Sequence, residues 1–98
     1  MTVKTDQVCM VNDTVMGKIQ IPVKVNGKTY YGCCEGCVGK LKKIRSFRFS
    51  KDPVTGREVD KAKAYISKAP DGRALYFESM KTVEEYHAGN HRAETEGK

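Results

Sequence analysis

Cys33-Cys34-Glu35-Gly36-Cys37 places three of the chain's four cysteines within five residues, and the fourth, Cys9, opens the same folding unit. Thiolates are soft donors, so a cage of them suits Zn(II) or Cu(I), or else thiol redox chemistry. Cys33 and Cys37 are spaced to flank the first turn of a helix, where unpaired backbone N–H groups and the helix dipole favour the thiolate. Lys28, Lys40 and other cations are expected to add to that bias. Cys9, Cys33 and Cys37 are therefore candidate metal ligands, with Cys34 an additional thiol beside one of them. Inert buried cysteines are common in small cores, but so dense a cluster argues against that bland reading. Disulfides fit less well than a metal, because the tight Cys33/Cys37 spacing closes only a short loop and stabilisation grows with the loop closed.

The fourth ligand is open between Cys34, Met10, Met16, His87, His91, water and a second chain. Met10 and Met16 are thioethers suited to Cu(I) and equally to filling a core. His87 and His91 stand four apart, a spacing that can hold a metal on a helix. Gly89 and Asn90 interrupt that helix, which favours frayed surface histidines followed by a polar tail over 89–98.

The elements that must position these thiols are legible from periodicity. Ile19, Ile21, Val23 and Val25 alternate with polar residues and proline, as in a half-buried strand. Asn26-Gly27 supplies a tight hairpin turn, and Lys28 to Gly32 return as the partner strand. From Cys34 the period becomes helical, with Cys34, Cys37, Val38, Leu41 and Ile44 on one side. The plan then recurs. Ala64-Tyr65-Ile66 leads to a turn at Pro70-Asp71-Gly72, Ala74 to Phe77 return, and Ser79 is placed to cap an amphipathic helix carrying Met80, Val83, Glu84, Tyr86 and His87. Gly27 and Gly72, Tyr31 and Tyr76, and Val38 and Val83 match at an offset of 45, and Cys9 and Thr55 at 46. The expectation is an α+β fold of two hairpin–helix pseudo-repeats sharing one core within a single compact domain over 1–98. Residues 6–45 form the cysteine unit, and residues 52–88 form a degenerate repeat in which Thr55, Glu78 and Thr82 replace the thiols.

Asp6-x-Val8-Cys9, then Gly27-Lys28-Thr29-Tyr30-Tyr31-Gly32-Cys33, then Cys37 at a helix start, resembles the YHS and TRASH heavy-metal-binding domains. Asp52-Pro53-Val54-Thr55-Gly56 is similar to the YHS opening, with Thr55 where that family carries its cysteine. The resemblance implies treble-clef-like units, metal binding by Cys9, Cys33 and Cys37, and a role in trafficking, resistance or sensing of heavy metals. Cys34 is additional to that pattern.

Composition sets the remaining bounds. A chain of 98 residues, 39% hydrophobic and without tryptophan, has a thin core of the sort that a metal or partner commonly stabilises. The net charge is +6, and six basic residues lie between Lys40 and Lys51, a stretch that suits an acidic protein partner but more simply makes a solvated face. Nucleic acid is disfavoured, because no aromatic platform or binding motif accompanies the basic run. No apolar run is long enough to span a bilayer, which suggests a cytoplasmic protein as the chain stands, or a periplasmic one had a leader been removed. The leading expectation is a non-enzymatic metal-binding protein. Alternatives are a thiol–disulfide redox protein using Cys33, Cys34 and Cys37, and a basic adaptor with a structural zinc. Oligomeric state, the choice of metal and the pathway are not fixed by these residues.

Overall fold

The computed structural model describes residues 2–88. His91 and the polar tail over 89–98 lie outside them. The fold is small α+β, with four antiparallel hairpins and two helices among the described residues. β1 (Val8–Cys9) pairs with β2 (Thr14–Val15), and β3 (Ile21–Val25) with β4 (Lys28–Gly32), before α1 (Glu35–Lys43). β5 (Phe49–Lys51) then pairs with β6 (Glu58–Asp60), and β7 (Tyr65–Lys68) with β8 (Ala74–Phe77), before α2 (Met80–His87). The order short hairpin, longer hairpin, helix thus occurs twice.

Local chemistry accounts for the joints. Asn26 and Gly27 have φ of 53° and 79°, the paired positive values that match a tight turn to the strand twist. The β3–β4 register closes at Ile21 opposite Gly32. Ile19 therefore has no partner strand residue and stands 73% exposed, so the alternation visible from Ile19 becomes strand only from Ile21. Ser79 caps α2 by accepting the Thr82 N–H at 3.3 Å, satisfying one of the helix's orphan donors. α1 buries Cys37 and Leu41, and α2 buries Thr82 and Val83.

Both halves feed one apolar cluster. Val8, Met10, Val23, Tyr30 and Leu41 of the first half pack with Val59, Ala64, Ile66, Ala74 and Tyr76 of the second. Two polar anchors run reciprocally across this seam. Tyr30 donates its hydroxyl to Asp60 at 2.8 Å, and Lys28 pairs with the same carboxylate at 2.7 Å. In the opposite direction Tyr76 donates to Asp13 at 2.8 Å, and Lys61 pairs with Asp13 at 2.7 Å. The β1–β2 loop is also stitched to the β7–β8 hairpin by Val15 N–H to Gly72 O at 3.0 Å and Ala74 N–H to Asp13 O at 2.8 Å. No helix of the described residues is long and apolar enough to cross a membrane.

Candidate metal centre

Cys9 ends β1, where its pairing with Thr14 begins a tight loop that Asp13 turns with φ of 52°. Met10 N–H donates to Tyr31 O at 2.9 Å, which ties this loop to β4 and brings Cys9 beside the residue following that strand, Cys33. Cys37 enters from the first turn of α1. Its approach depends on Gly32: a Cβ there would lie 2.9 Å from Cys37 Cβ and 3.4 Å from two backbone atoms of that turn.

These three elements bring three sulfurs together. Cys9 Sγ lies 3.9 Å and Cys33 Sγ 3.6 Å from Cys37 Sγ, and all three lie within 4.8 Å of one another. Cys9 and Cys37 are buried, whereas Cys33 is exposed. The group can hold a metal ion. Cys34, the N-cap residue of α1, is exposed, with its sulfur 3.5 Å from Cys37 Sγ. It falls outside the mutually close set of three.

The backbone prepares one member for ionisation. Burial alone would raise the Cys9 pKa, but the N–H groups of Asn12, Val11 and Cys33 aim at its sulfur and bring it below the ordinary thiol value. Cys33 is pushed up to about 12, chiefly because it shares hydrogen bonds with the Cys9 and Cys37 sulfurs. Burial raises Cys37. For Cys34 the neighbouring N–H and thiol of Cys37 lower the value. In the metal-free cluster the backbone thus eases ionisation of Cys9, while shared hydrogen bonds oppose it at Cys33 and burial opposes it at Cys37. An ion that binds all three as thiolates must displace their protons.

The lysines that the sequence suggests for a cationic bias are engaged elsewhere. Lys28 is committed to Asp60, and Lys40 sits 5.8 Å from the Phe47 ring centroid. The cation nearest the Cys9 loop is Lys61, with a side chain only 3% exposed. Its ammonium donates to Met10 O at 2.6 Å and to Asp13 at 2.7 Å. In sequence it reads as one more surface lysine. Asn12 was equally silent; its Nδ2 donates to Cys33 Sγ at 3.6 Å. Gly32 carried a usable signal, being a glycine at a strand end with no turn to make.

The other suggested ligands are accounted for. Met10 is fully buried in the core and its sulfur accepts the Tyr31 N–H at 3.4 Å, so it acts as a core filler. Met16 is 38% exposed. His87, though exposed, is tethered rather than frayed, because its Nε2 lies 2.7 Å from Ser67 Oγ. Within the basic run, Arg48 donates to Leu41 O at 2.7 Å, closing the end of α1, and Arg45 pairs with Glu58 at 3.3 Å.

In the second half, Thr55, Glu78 and Thr82 also converge, around Asp52. Thr55 donates its hydroxyl to Glu78 at 2.6 Å, and Thr82 donates to Asp52 Oδ2 at 2.7 Å. The Asp52 carboxylate further accepts the N–H groups of Val54, Thr55 and Glu78 at 2.7, 3.2 and 2.8 Å. Asp52 N–H bonds Arg57 O, five residues on, as Cys9 pairs with Thr14. Cys9 and Asp52 thus each receive N–H groups from two and three residues ahead and from the residue after the longer hairpin. By this pattern Asp52, three positions before Thr55, occupies the place of Cys9.

No family model, no curated protein and no solved structure matches the chain.

Proposed function

We propose that this chain is a non-enzymatic metal-binding protein that takes a soft or borderline ion, Zn(II) or Cu(I), on the thiolates of Cys9, Cys33 and Cys37. The observation that carries this reading is the convergence of three sulfurs from separate elements at 3.6 and 3.9 Å from the shared member. A tetrahedral centre with Zn–S bonds of about 2.3 Å requires sulfur separations of about 3.8 Å. A trigonal Cu(I) centre requires only slightly more. Cys33 leaves the centre open toward solvent, so a water or a donor from another molecule can complete the shell. An open position suits an ion that is delivered and collected.

Trafficking, resistance or sensing of heavy metals is the role supported by the resemblance to YHS and TRASH domains, and treble-clef-like units are its structural counterpart. The twofold order of elements, together with the matched hydrogen bonds at Cys9 and Asp52, supports an internal duplication. In this reading the second copy exchanged its thiolates for a hydrogen-bonded carboxylate.

Titration of the reduced protein with Zn(II) and with Cu(I) against competing chelators tests the proposal, alongside elemental analysis of protein purified without added metal. Binding tighter than micromolar that is lost on Cys9→Ser and on Cys37→Ser is the expected result. No binding tighter than micromolar would end it.

A further inference from the structure

Cys34 is the one cysteine that the metal centre leaves unassigned, yet it makes the shortest sulfur contact of the cluster, 3.5 Å to Cys37. We propose that Cys34 and Cys37 form a thiol–disulfide pair that reacts with small-molecule disulfides and, by withdrawing Cys37, switches the metal site off. The disulfide chemistry stands on the geometry alone; its consequence for metal rests on the reading of Cys37 as a ligand.

Several observations select this pair. Cys34 is the N-cap of α1 and Cys37 lies in its first turn, so both sit at the helix start with their sulfurs 3.5 Å apart. Closing a disulfide draws these two sulfurs together within the helix start and asks for no rearrangement of the sheet. Cys34 is exposed while Cys37 is buried. An incoming disulfide therefore meets Cys34 first, and Cys37 waits beneath it as the resolving thiol. Gly36 puts no side chain over the pair; a Cβ there would find only Cys34 Sγ, at 3.9 Å. Cys33 is a poorer partner, because Asn12 already holds its sulfur and the metal would hold it further. Cys37 is also the common member of the cluster, lying 3.9 Å from Cys9 and 3.6 Å from Cys33, so its loss leaves two ligands.

The chemistry balances with a low-molecular-weight disulfide, RSSR, as oxidant. The Cys34 sulfur attacks one sulfur of RSSR, forming a mixed disulfide and releasing RS⁻, which takes the Cys34 proton. The Cys37 sulfur then attacks the Cys34 sulfur, forming the intramolecular disulfide and releasing the second RS⁻, which takes the Cys37 proton. Two thiols are oxidised and one disulfide is reduced. When an ion occupies the site, the second step breaks its bond to Cys37 and the ion leaves in place of that proton.

The test uses the full chain and oxidised glutathione. Metal-free reduced protein is exposed to it, quenched by alkylation and mapped by mass spectrometry. A Cys34–Cys37 disulfide as the dominant product, and a glutathione adduct on Cys34 in Cys37→Ser, are the expected results. Zinc affinity of the oxidised protein should fall about 100-fold or more, because outer-shell changes alone already cost about 10–100-fold. Cys34→Ser should bind zinc like the wild type and resist this inactivation. A dominant Cys33–Cys37 or Cys9–Cys37 disulfide, or equal sensitivity of Cys34→Ser, would overturn the proposal. So would loss of zinc binding in Cys34→Ser, which would make Cys34 a ligand. If the reduced wild type failed to bind zinc at all, the mapping on metal-free protein would still decide the disulfide.

Discussion

Replacing Gly32 by alanine tests whether the cluster is built by close approach of helix to strand. The added methyl carbon would stand 2.9 Å from Cys37 Cβ, and 3.4 Å from Cys37 C and Val38 N. Carbon atoms rest at about 3.5–4.0 Å, so the first turn of α1 must retreat by roughly 0.6–1.1 Å. The obstructing atoms are backbone and the root of a side chain, so no flexible tip can swing aside. Overpacking of this sort costs about 1–3 kcal/mol. In the metal-free protein the helix start can give way, whereas a bound ion draws Cys37 back toward Cys9 and Cys33. Much of the cost therefore falls on binding, and the loss of zinc affinity should be about 5- to 140-fold at 1.4 kcal/mol per decade. Competition with a chromophoric chelator measures it, and thermal unfolding of metal-free and loaded protein shows how the cost is divided. Gly39→Ala is the control: it lies in the same helix with nothing within 4 Å of its would-be Cβ. That variant should gain about 0.5–1 kcal/mol of stability from helix propensity and leave affinity unchanged. Wild-type affinity and melting temperature in Gly32→Ala would refute the argument, as would equal weakening by both alanines.

Chelating the metal should deprotect amides over residues 9–40 while 52–87 keep much of their protection; hydrogen exchange reads this directly, and equal loss in both halves would show the ion to be holding the whole domain. Lys61→Met should destabilise the protein by about 1–3 kcal/mol by stranding the Met10 carbonyl, while half-exposed Asp13 keeps the Tyr76 hydroxyl, and should weaken zinc binding because Met10 follows Cys9; an unchanged urea midpoint would count against it. Acid should weaken the fold through Asp52, where burial raises the pKa but the Glu78 N–H, the Thr82 hydroxyl and two further N–H groups bring it below the ordinary carboxylate value. Its contribution is complete above the unfolded value of about 3.9 and fades as pH falls below that toward the folded value. Urea unfolding of metal-free protein between pH 6 and 3 should therefore show a shallower acid slope in Asp52→Asn, and an identical slope would contradict this assignment.

The β3–β4 hairpin and both helices were legible because their signals are local: Asn26-Gly27 for the turn, Ser79 for the cap, and apolar spacing for Leu41 and Val83. The short β1–β2 and β5–β6 hairpins left no such trace. Two or three residues per strand cannot establish a period, and the β1–β2 pair is held from outside, by Met10 N–H on Tyr31 O. The convergence of Cys9 with the helix-start cysteines was readable from residue type and spacing. Its supports were not: Lys61 looks like an ordinary surface residue until the β1–β2 loop takes up its ammonium, and Asn12, exposed in that loop, carries no sequence sign of its bond to Cys33. The local string around Pro53-Val54 aligns Thr55 with Cys9, whereas the hydrogen bonds received by Asp52 are the ones that resemble those of Cys9.

On the proposed function, the hydrogen bonds of Asp52 explain why the second half needs no ion where the first would use one. Each half must tie together a tight loop, the end of a hairpin and the start of a helix. In the second half, Asp52 does so by itself, accepting from its own loop, from Glu78 at the hairpin's end and from Thr82 on the helix. Cys9 likewise accepts from its own loop and from the Cys33 N–H, but sulfur is a weaker acceptor, and on the helix Cys37 brings a sulfur where Thr82 brings a hydroxyl donor. The first half therefore has a weaker tie to its helix, one that an ion joining the three sulfurs would strengthen. The reciprocal anchors, Tyr30 on Asp60 and Tyr76 on Asp13, keep the two halves in register whether or not the ion is present. Loss of metal should accordingly open the thiolate corner without dismantling the shared core, which is the behaviour a module needs if it is to release its ion and bind another.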